Sequence, residues 1–423
     1  MGTDTRTGGR QATSGVIAGG AAIAVGKPST PTAEGFRWAA LAEVARLETG
    51  HTPSRRHPEY WGGDVPWVGI KDATANHGRT INSTVQTVTH EGIANSSARV
   101  LPANTVCLSR TASVGYVVVM GVPMATSQDF VNWVCGPDLD HLYLKFVLQL
   151  ERSTLLRFAS GTTHQTIYFP EAKAFHALLP NLAEQRRIIG VLGSIDDKIE
   201  SNRRRAEGAE QLLDLLASGV ASMGSVPLGE LVEVDRKSCS PAALGETLVD
   251  HFSLPAFDAD RLPARTEGES IKSNKLVVAT ESVLVSRLNP STNRTWFAVP
   301  DGGRLAVAST EFMVLRPAAG VGFGSIWLAV RDQLFRSELG QRATGTSGSH
   351  QRVRPADVLT IEVPDVRALP AAEQDEAQGL LRLAHQARSE SRTLAELRDA
   401  LLPELLSGRL RVPEAEELAE VAT

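Results

Sequence analysis

Cysteine is scarce in this sequence, and the three present, Cys107, Cys135 and Cys239, lie far apart. No Cys-x-x-Cys pair and no Cys/His ligand spacing occurs, which argues against structural zinc and fits a reducing cytoplasm. Long apolar runs are missing too. The longest, around residues 114–122, is far too short to span a bilayer, so no membrane partner is expected. An excess of positive charge is also absent: 43 Lys and Arg stand against 48 Asp and Glu, for a net charge of −5. A chain so balanced gains little from neutralising phosphates, and a nucleic-acid reader built from it would draw backbone affinity from a partner.

Catalytic patterns are equally hard to find. A phosphate-binding loop of the form GxxxxGK[ST] does not occur. The nearest approach to the Asn/Asp-Pro-Pro-aromatic loop of an amino-methyltransferase is Asn289-Pro290-Ser291-Thr292, which lacks the second proline and the aromatic. Glu233, Asp235 and Lys237 come closest to a nuclease metal site but read better as a polar strand edge. Ser349 and His350 are adjacent in a Gly/Ser loop with no obvious orienting acid, which is a poor nucleophile pair. The chain therefore reads as non-catalytic, with no metal and no cofactor of its own.

What is present is a duplication. Leu41-Ala42-Glu43-Val44 returns as Leu228-Gly229-Glu230-Leu231, Ser109-Arg110 as Ser286-Arg287, and Asp129-Phe130 as Glu311-Phe312. Gly161-Thr162 with His164-Gln165 returns as Gly345-Thr346 with His350-Gln351, Glu184-Gln185 as Glu373-Gln374, and Ser218-Gly219 as Ser407-Gly408. Six matches in one order are unlikely to arise by chance. Each copy opens with short β-rich runs punctuated by Gly, Pro, Asn and Ser. These are 65–70, 105–108, 116–120 and 130–134 in the first copy, and 275–279, 282–286, 295–299 and 311–315 in the second. A short helical stretch follows in each, near 142–158 and 324–339, then a proline-containing connector into a long helix.

The first long helix carries Ile188, Leu192, Ile195, Ile199, Asn202, Ala206, Ala209, Leu213 and Leu216 at unbroken steps of four and three. Such a seam stays buried only if a second helix packs along it. The second copy offers Ala377, Leu381, Ala384, Ser391, Ala395, Leu402 and Leu405, interrupted by Arg388 and Arg398, with Leu394 and Leu401 as positions of a rotated register. The expected fold is α+β: two tandem β-rich domains separated by long helical spacers that pack as an antiparallel coiled coil. The first spacer would be on the order of 50 Å long. Two separate amphipathic helices, each on its own domain, are the plainer alternative.

The run ETGHTPSRRHPEYWGGDVPWVGIKD at 48–72 and the run from Ser160 to Arg204 resemble the opening and close of a target-recognition domain in specificity subunits of type I restriction-modification systems. The second copy repeats the pattern more loosely, with HFSLPAFD at 251–258 and AEQDEAQGLL at 372–381. The resemblance runs over roughly residues 38–410. It implies domains at 36–181 and 225–366 and spacers at 182–224 and 367–412; outside it, the Gly-, Ala-, Thr- and Ser-rich residues 1–35 read as a disordered extension and 413–423 as an acidic tail. It further implies a cytoplasmic, non-catalytic subunit that binds double-stranded DNA carrying a bipartite, interrupted target, one domain per half-site. Its partners would be two methyltransferase subunits, with S-adenosylmethionine held by those partners, and restriction-translocase subunits in the full complex. A non-DNA protein-interaction adaptor on a coiled-coil rod is the rival reading, and the net acidity favours it slightly.

Base reading needs paired donors and acceptors on loops, Arg for guanine and Asn or Gln for adenine. In the first copy the candidates are Arg55, Arg56, Lys71, Ser109, Arg110 and Thr111, with Thr162, Thr163, His164 and Gln165. In the second they are Lys272, Asn274, Arg287, Asn289, Asn293 and Arg294, with Ser349, His350, Gln351 and Arg352. Features shared by both copies, such as Arg110 with Arg287 and His164 with His350, suit framework or phosphate roles. The Asn/Arg cluster at 289–294, unique to the second copy, suits specificity. Tyr60, Trp61 and Trp67 are expected to pack beneath the Gly62-Gly63 turn rather than stack on bases, and Arg203-Arg204-Arg205 to be a solvated or partner-facing helix face.

Overall fold

A computed structural model describes residues 17, 19–159, 165–344 and 351–415. The chain divides into two compact units, Met1–Asp197 with Leu394–Thr423, and Lys198–Thr393. The division falls within the two long helices. The expected boundaries, which kept each spacer whole, differ from it.

The first unit is built on four antiparallel strands, β1 (Ala45–Thr49), β2 (Val106–Ser109), β3 (Val117–Met120) and β4 (Phe130–Cys135), in the order β1-β4-β2-β3, with the short strand Thr80–Ile81 added in parallel beside β3. Strands β2 and β3, Val-Cys-Leu-Ser and Val-Val-Val-Met, are buried at every position. Covering both faces of a sheet removes the need for polar alternation, which is why these runs are continuously apolar. The helix His141–Leu150 buries Tyr143, Leu144, Phe146, Val147 and Leu148, and Asp140 caps it at the Leu142 N–H.

The same unit corrects the expectation of disorder at 1–35 for residues 19–35; residues 1–16 and 18 lie outside the described residues. Strand Ile23–Val25 pairs with Phe175–Leu179, which also pairs with Arg37–Ala40, and Ala22 to Val25 are buried. The buried Glu151 carboxylate accepts the backbone N–H groups of Gly20 (3.0 Å), Ala21 (2.5 Å) and Ala22 (2.6 Å). A Cβ on Gly20 would meet that carboxylate at 2.4 Å, so the small residues that look like a linker are what lets the backbone approach.

The second unit holds β5 (Val232–Asp235), β6 (Ser282–Ser286), β7 (Thr295–Ala298) and β8 (Phe312–Pro317) in the order β5-β8-β6-β7, the same order as the first. A break between two short helices also recurs, at Glu151 in the first unit and at Asp332 in the second. The accessory sheets differ. The first unit adds three strands, Trp61–Val68 with Gln86–Val88 and Ala125–Thr126, and the second adds five, including Leu248–Phe252 and Lys275–Val277. The duplication is thus a shared frame carrying unlike additions.

Two long helices, α1 (Leu182–Val220) and α2 (Ala371–Ser407), have 39 and 37 residues. Each start is tied down alike: Gln185 donates to the Pro180 carbonyl and Gln374 to the Leu369 carbonyl. In the first unit Ile188, Leu192 and Ile195 of α1, and Leu394, Leu401, Leu402 and Leu405 of α2, are buried. In the second unit Asn202, Ala206, Ala209 and Leu213 of α1, and Ala377, Leu381, Ala384 and Ala387 of α2, are buried, while Ile199 and Leu216 are half-buried. Ala206, Ala209, Ala384 and Ala387 form one cluster, small side chains that permit close helix approach. From Ala384 the buried set runs through Ala387 and Leu394 instead of Ala395, which is the rotated register. The arginines that interrupt the second seam are paired. Arg398 Nη1 lies 2.9 Å from Asp196 in the first unit, and Arg388 Nη2 lies 2.6 Å from Glu210 in the second. Burial pushes the Glu210 carboxyl up, but the guanidinium groups of Arg388 and Arg261 outweigh it and hold the group below its ordinary value. Arg203 and Arg204 pair with Glu200 on the same helix, as a solvated face would. No helix among the described residues is long and apolar enough to cross a membrane.

Candidate nucleic-acid interface

The hairpins β2–β3 and β6–β7 end in the two Ser-Arg pairs, and the structure places these pairs in matching environments. Arg110 N–H donates to the Asp129 carbonyl (2.7 Å), and its own carbonyl accepts from Ile167 (2.8 Å). Arg287 N–H donates to the Glu311 carbonyl (2.8 Å), and its carbonyl accepts from Val353 (3.1 Å). The side chains match as well. Arg110 Nε reaches the Gln128 carbonyl at 3.0 Å and Nη1 the Ile167 carbonyl at 3.5 Å. Arg287 Nη2 reaches the Thr310 carbonyl at 2.5 Å and Nη1 the Val353 carbonyl at 3.5 Å. Each arginine is a clamp that joins the hairpin to the turn before the next strand and to the segment after the Gly-Thr motif.

The expected contact residues are engaged within the protein to differing degrees. Ser109 is fully buried, its hydroxyl bonded to the Ser113 carbonyl and the Tyr116 N–H, so it cannot reach a ligand. Thr111 Oγ1 pairs with Thr166 Oγ1 at 2.9 Å, and Arg110 and Arg287 spend donors on main-chain oxygens. In the second unit Arg294 makes a two-pronged bridge to Asp258 at 2.8 and 2.9 Å. Arg352 grips both oxygens of Glu311, whose carboxyl that hydrogen bonding holds below its ordinary value. Asn293 Oδ1 accepts from Thr295, and Asn289, in the left-handed region at φ 47°, donates its N–H to the Gln351 carbonyl. Lys272 is exposed with Nζ on the Glu269 carbonyl; Asn274 and Gln165 are exposed, and Gln351 is half-buried. Thr162, Thr163, His164, Ser349 and His350 lie outside the described residues. Ser291 and Thr292 are the exposed tip of the 289–294 loop, while its arginine is turned inward.

Arg55, Arg56 and Lys71 are exposed, and two of them line one cleft of the first unit. The cleft measures about 380 Å³ and is bounded by Arg55, Trp67, Lys71, Asp72, Val85, Gln86 and Asp129. Asp72 builds one wall by accepting from the Gly69 N–H at 2.9 Å and the Val85 N–H at 2.7 Å, which leaves the Val85 side chain 73% exposed. Trp67 is buried, packed edge-on to Trp61 at 5.1 Å, with its indole N–H on the His51 carbonyl. These rings pack inward, as expected. In the second unit a cleft of about 530 Å³ lies beside the corresponding turn and is lined by Arg236, Arg287, Thr310 and Phe312 among others. Gln86 and Arg236 were not legible as site residues, because neither stands in a motif. Among the described residues no group of three or more His, Cys, Asp or Glu side chains could hold a metal ion.

Comparison with known proteins follows the same lines. A family model described as the type I restriction modification DNA specificity domain matches residues 34–211. The chain is 29% identical over 174 residues to the type I restriction enzyme MjaIX specificity subunit of Methanocaldococcus jannaschii, covering 41% of this chain and 40% of that protein. It is 28% identical over 167 residues to the EcoR124I/EcoR124II specificity subunit of Escherichia coli, covering 38% and 40% respectively. The chain thus spans about two fifths of the length of these curated relatives. Its fold is similar to that of the type I restriction-modification S subunit from M. genitalium, with a TM-score of 0.60 and 16% identity over 90% of this chain and 98% of that one. Residues 34–211, with the first hairpin clamp and its adjoining cleft, are thus similar to the type I restriction modification DNA specificity domain.

Proposed function

We propose that the whole chain is the DNA-sequence specificity subunit of a type I restriction-modification complex, reading a bipartite, interrupted target with one domain per half-site. The observation that carries this is the duplicated clamp: two units share one strand order and one arginine geometry, yet bear different loops and different accessory sheets. A common frame with unlike reading surfaces is what two half-sites of unlike sequence require. Helices α1 and α2 are read as an antiparallel coiled coil that spaces the domains. In support, Lys198 pairs with Glu390 and Glu210 with Arg388 within the second unit, so later positions on α1 meet earlier positions on α2. The chain is read as non-catalytic. Two methyltransferase subunits dock on the helices and bring S-adenosylmethionine, and restriction-translocase subunits join the full complex.

Co-expression of the full chain with its methyltransferase partner, followed by mapping of modified adenines, tests the reading. A gapped consensus is expected, and exchange of residues 36–181 for another member's domain should change one half of it only. Modification without any gapped consensus would sink the proposal. The net charge of −5 favours a second reading, a protein-binding adaptor. An adaptor would bind its partner with no DNA-sequence preference in the complex.

A further inference from the structure

Of the arginines in the expected DNA-reading set, four have their guanidinium groups committed inside the protein. Arg110 and Arg287 hold carbonyl oxygens, Arg294 holds Asp258, and Arg352 holds Glu311. Arg55 differs. Its guanidinium carbon sits 4.2 Å from the centre of the Trp61 ring and 5.8 Å from that of Trp67. One donor, Nη2, reaches Gln86 Oε1 at 2.9 Å, a neutral acceptor. A guanidinium has five N–H donors in one plane, so contact with the indole ring restrains the group while most of the donors stay free. No carboxylate among the described residues forms an ion pair with Arg55.

The surroundings distinguish a base edge from a phosphate. Arg55 and Lys71 share their cleft with two carboxylates, Asp72 and Asp129. Asp72 is occupied by the Gly69 and Val85 N–H groups, and Asp129 Oδ2 accepts from Ser127. Carboxylates lining a cleft repel a phosphate, whereas the major-groove edge of a G·C pair offers both acceptors (guanine O6 and N7) and a donor (the cytosine amino group). The unspent donors of Arg55 match the two guanine acceptors, and the Asp129 oxygen that Ser127 does not engage suits the amino group. Preorganisation on the tryptophan also lowers the entropy lost when the arginine binds.

We propose that Arg55 is a specificity-determining residue that reads guanine, in a G·C pair, at one position of the half-site contacted by the first unit. This rests on the reading of the chain as a DNA specificity subunit. The test uses the full chain with its methyltransferase partner, a library of randomised duplexes, and sequencing of the bound fraction for wild type, Arg55→Ala and Gln86→Ala. Wild type is expected to select guanine at a defined position. Arg55→Ala should lose that preference by about ten-fold or more at that position only, the loss expected of one bidentate base contact. Gln86→Ala should weaken it at the same position by less, since only the brace is removed. If Arg55→Ala lowers binding uniformly across sequences, or leaves the selected word unchanged, the assignment is overturned. Absence of any gapped word in the wild-type selection would instead overturn the underlying reading of the chain. Thermal denaturation of both variants should match wild type, because Arg55 is exposed.

Discussion

Arg287 shows how much of a surface arginine can be internal work. Its two hydrogen bonds reach carbonyls more than twenty and more than sixty residues away, at Thr310 and Val353. Hydrogen bonds from a charged donor contribute roughly 1.5–3 kcal/mol each. Because Arg287 is half-buried, Arg287→Ala is expected to cost toward the lower end of that range in total. Urea denaturation reads the cost, and hydrogen exchange should show faster opening around residues 286–295 and 351–353. Arg287→Lys should recover only part of the loss, since one ammonium cannot span both acceptors. A second residue couples the fold to pH. His251, on strand Leu248–Phe252, has no hydrogen-bond partner at Nε2 among the described residues, and its pKa falls to about 4 through burial and then the charge of Lys275. Between that value and the ordinary 6.5 the unfolded chain takes up a proton that the folded chain refuses. This contribution is therefore complete above about pH 6.5 and is lost as pH falls toward 4. His251→Gln should show a smaller fall in Tm than wild type across that window; an equal fall would exclude the coupling.

Among the elements, the helices are the most legible and the most exacting. The alanine layer at Ala206, Ala209, Ala384 and Ala387 leaves no room for larger side chains. Ala206→Leu is expected to destabilise the second unit by about 1–3 kcal/mol through overpacking. Leu212→Ala, at a position 51% exposed, should stay within about 0.5 kcal/mol. Denaturant titrations of the two variants check the contrast. The seam of α1 was readable because a buried helix face must repeat every three to four residues, and the strands β2, β3, β4, β6, β7 and β8 because each is a short, largely apolar run. Other features could not be read from sequence. Ser109 and Arg110 follow an apolar strand and look like an exposed turn, since nothing local reveals that the chain near Ile167 returns to cover them. The segment 19–26 looks like a linker because its composition is small and polar-poor, and only the distant Glu151 turns it into structure. The Arg55 platform was half legible: its residues stand in one run, but Gln86, which braces it, lies thirty-one positions away.

For the molecule as a whole, charge sets the terms of the DNA binding proposed above. A net charge of −5, with many of the described arginines committed to carboxylates and carbonyls, limits how many counterions the chain can displace. The chain alone should therefore bind random duplex DNA weakly, with a shallow dependence of log K on log salt. Under the proposed reading, addition of a methyltransferase partner should both tighten binding and steepen that slope. Fluorescence anisotropy of a labelled duplex over a salt series measures both, and a steep slope for the isolated chain would contradict the expectation. Each unit, in this view, supplies discrimination more than adhesion.

The clamp carries a consequence for how such a protein changes over generations. Arg110 and Arg287 hold carbonyl oxygens, and every amino acid has one. The loops between the clamped points can thus exchange side chains freely while their anchorage survives. If the chain reads DNA as proposed, mutation can rewrite the vocabulary of one unit without renegotiating its architecture.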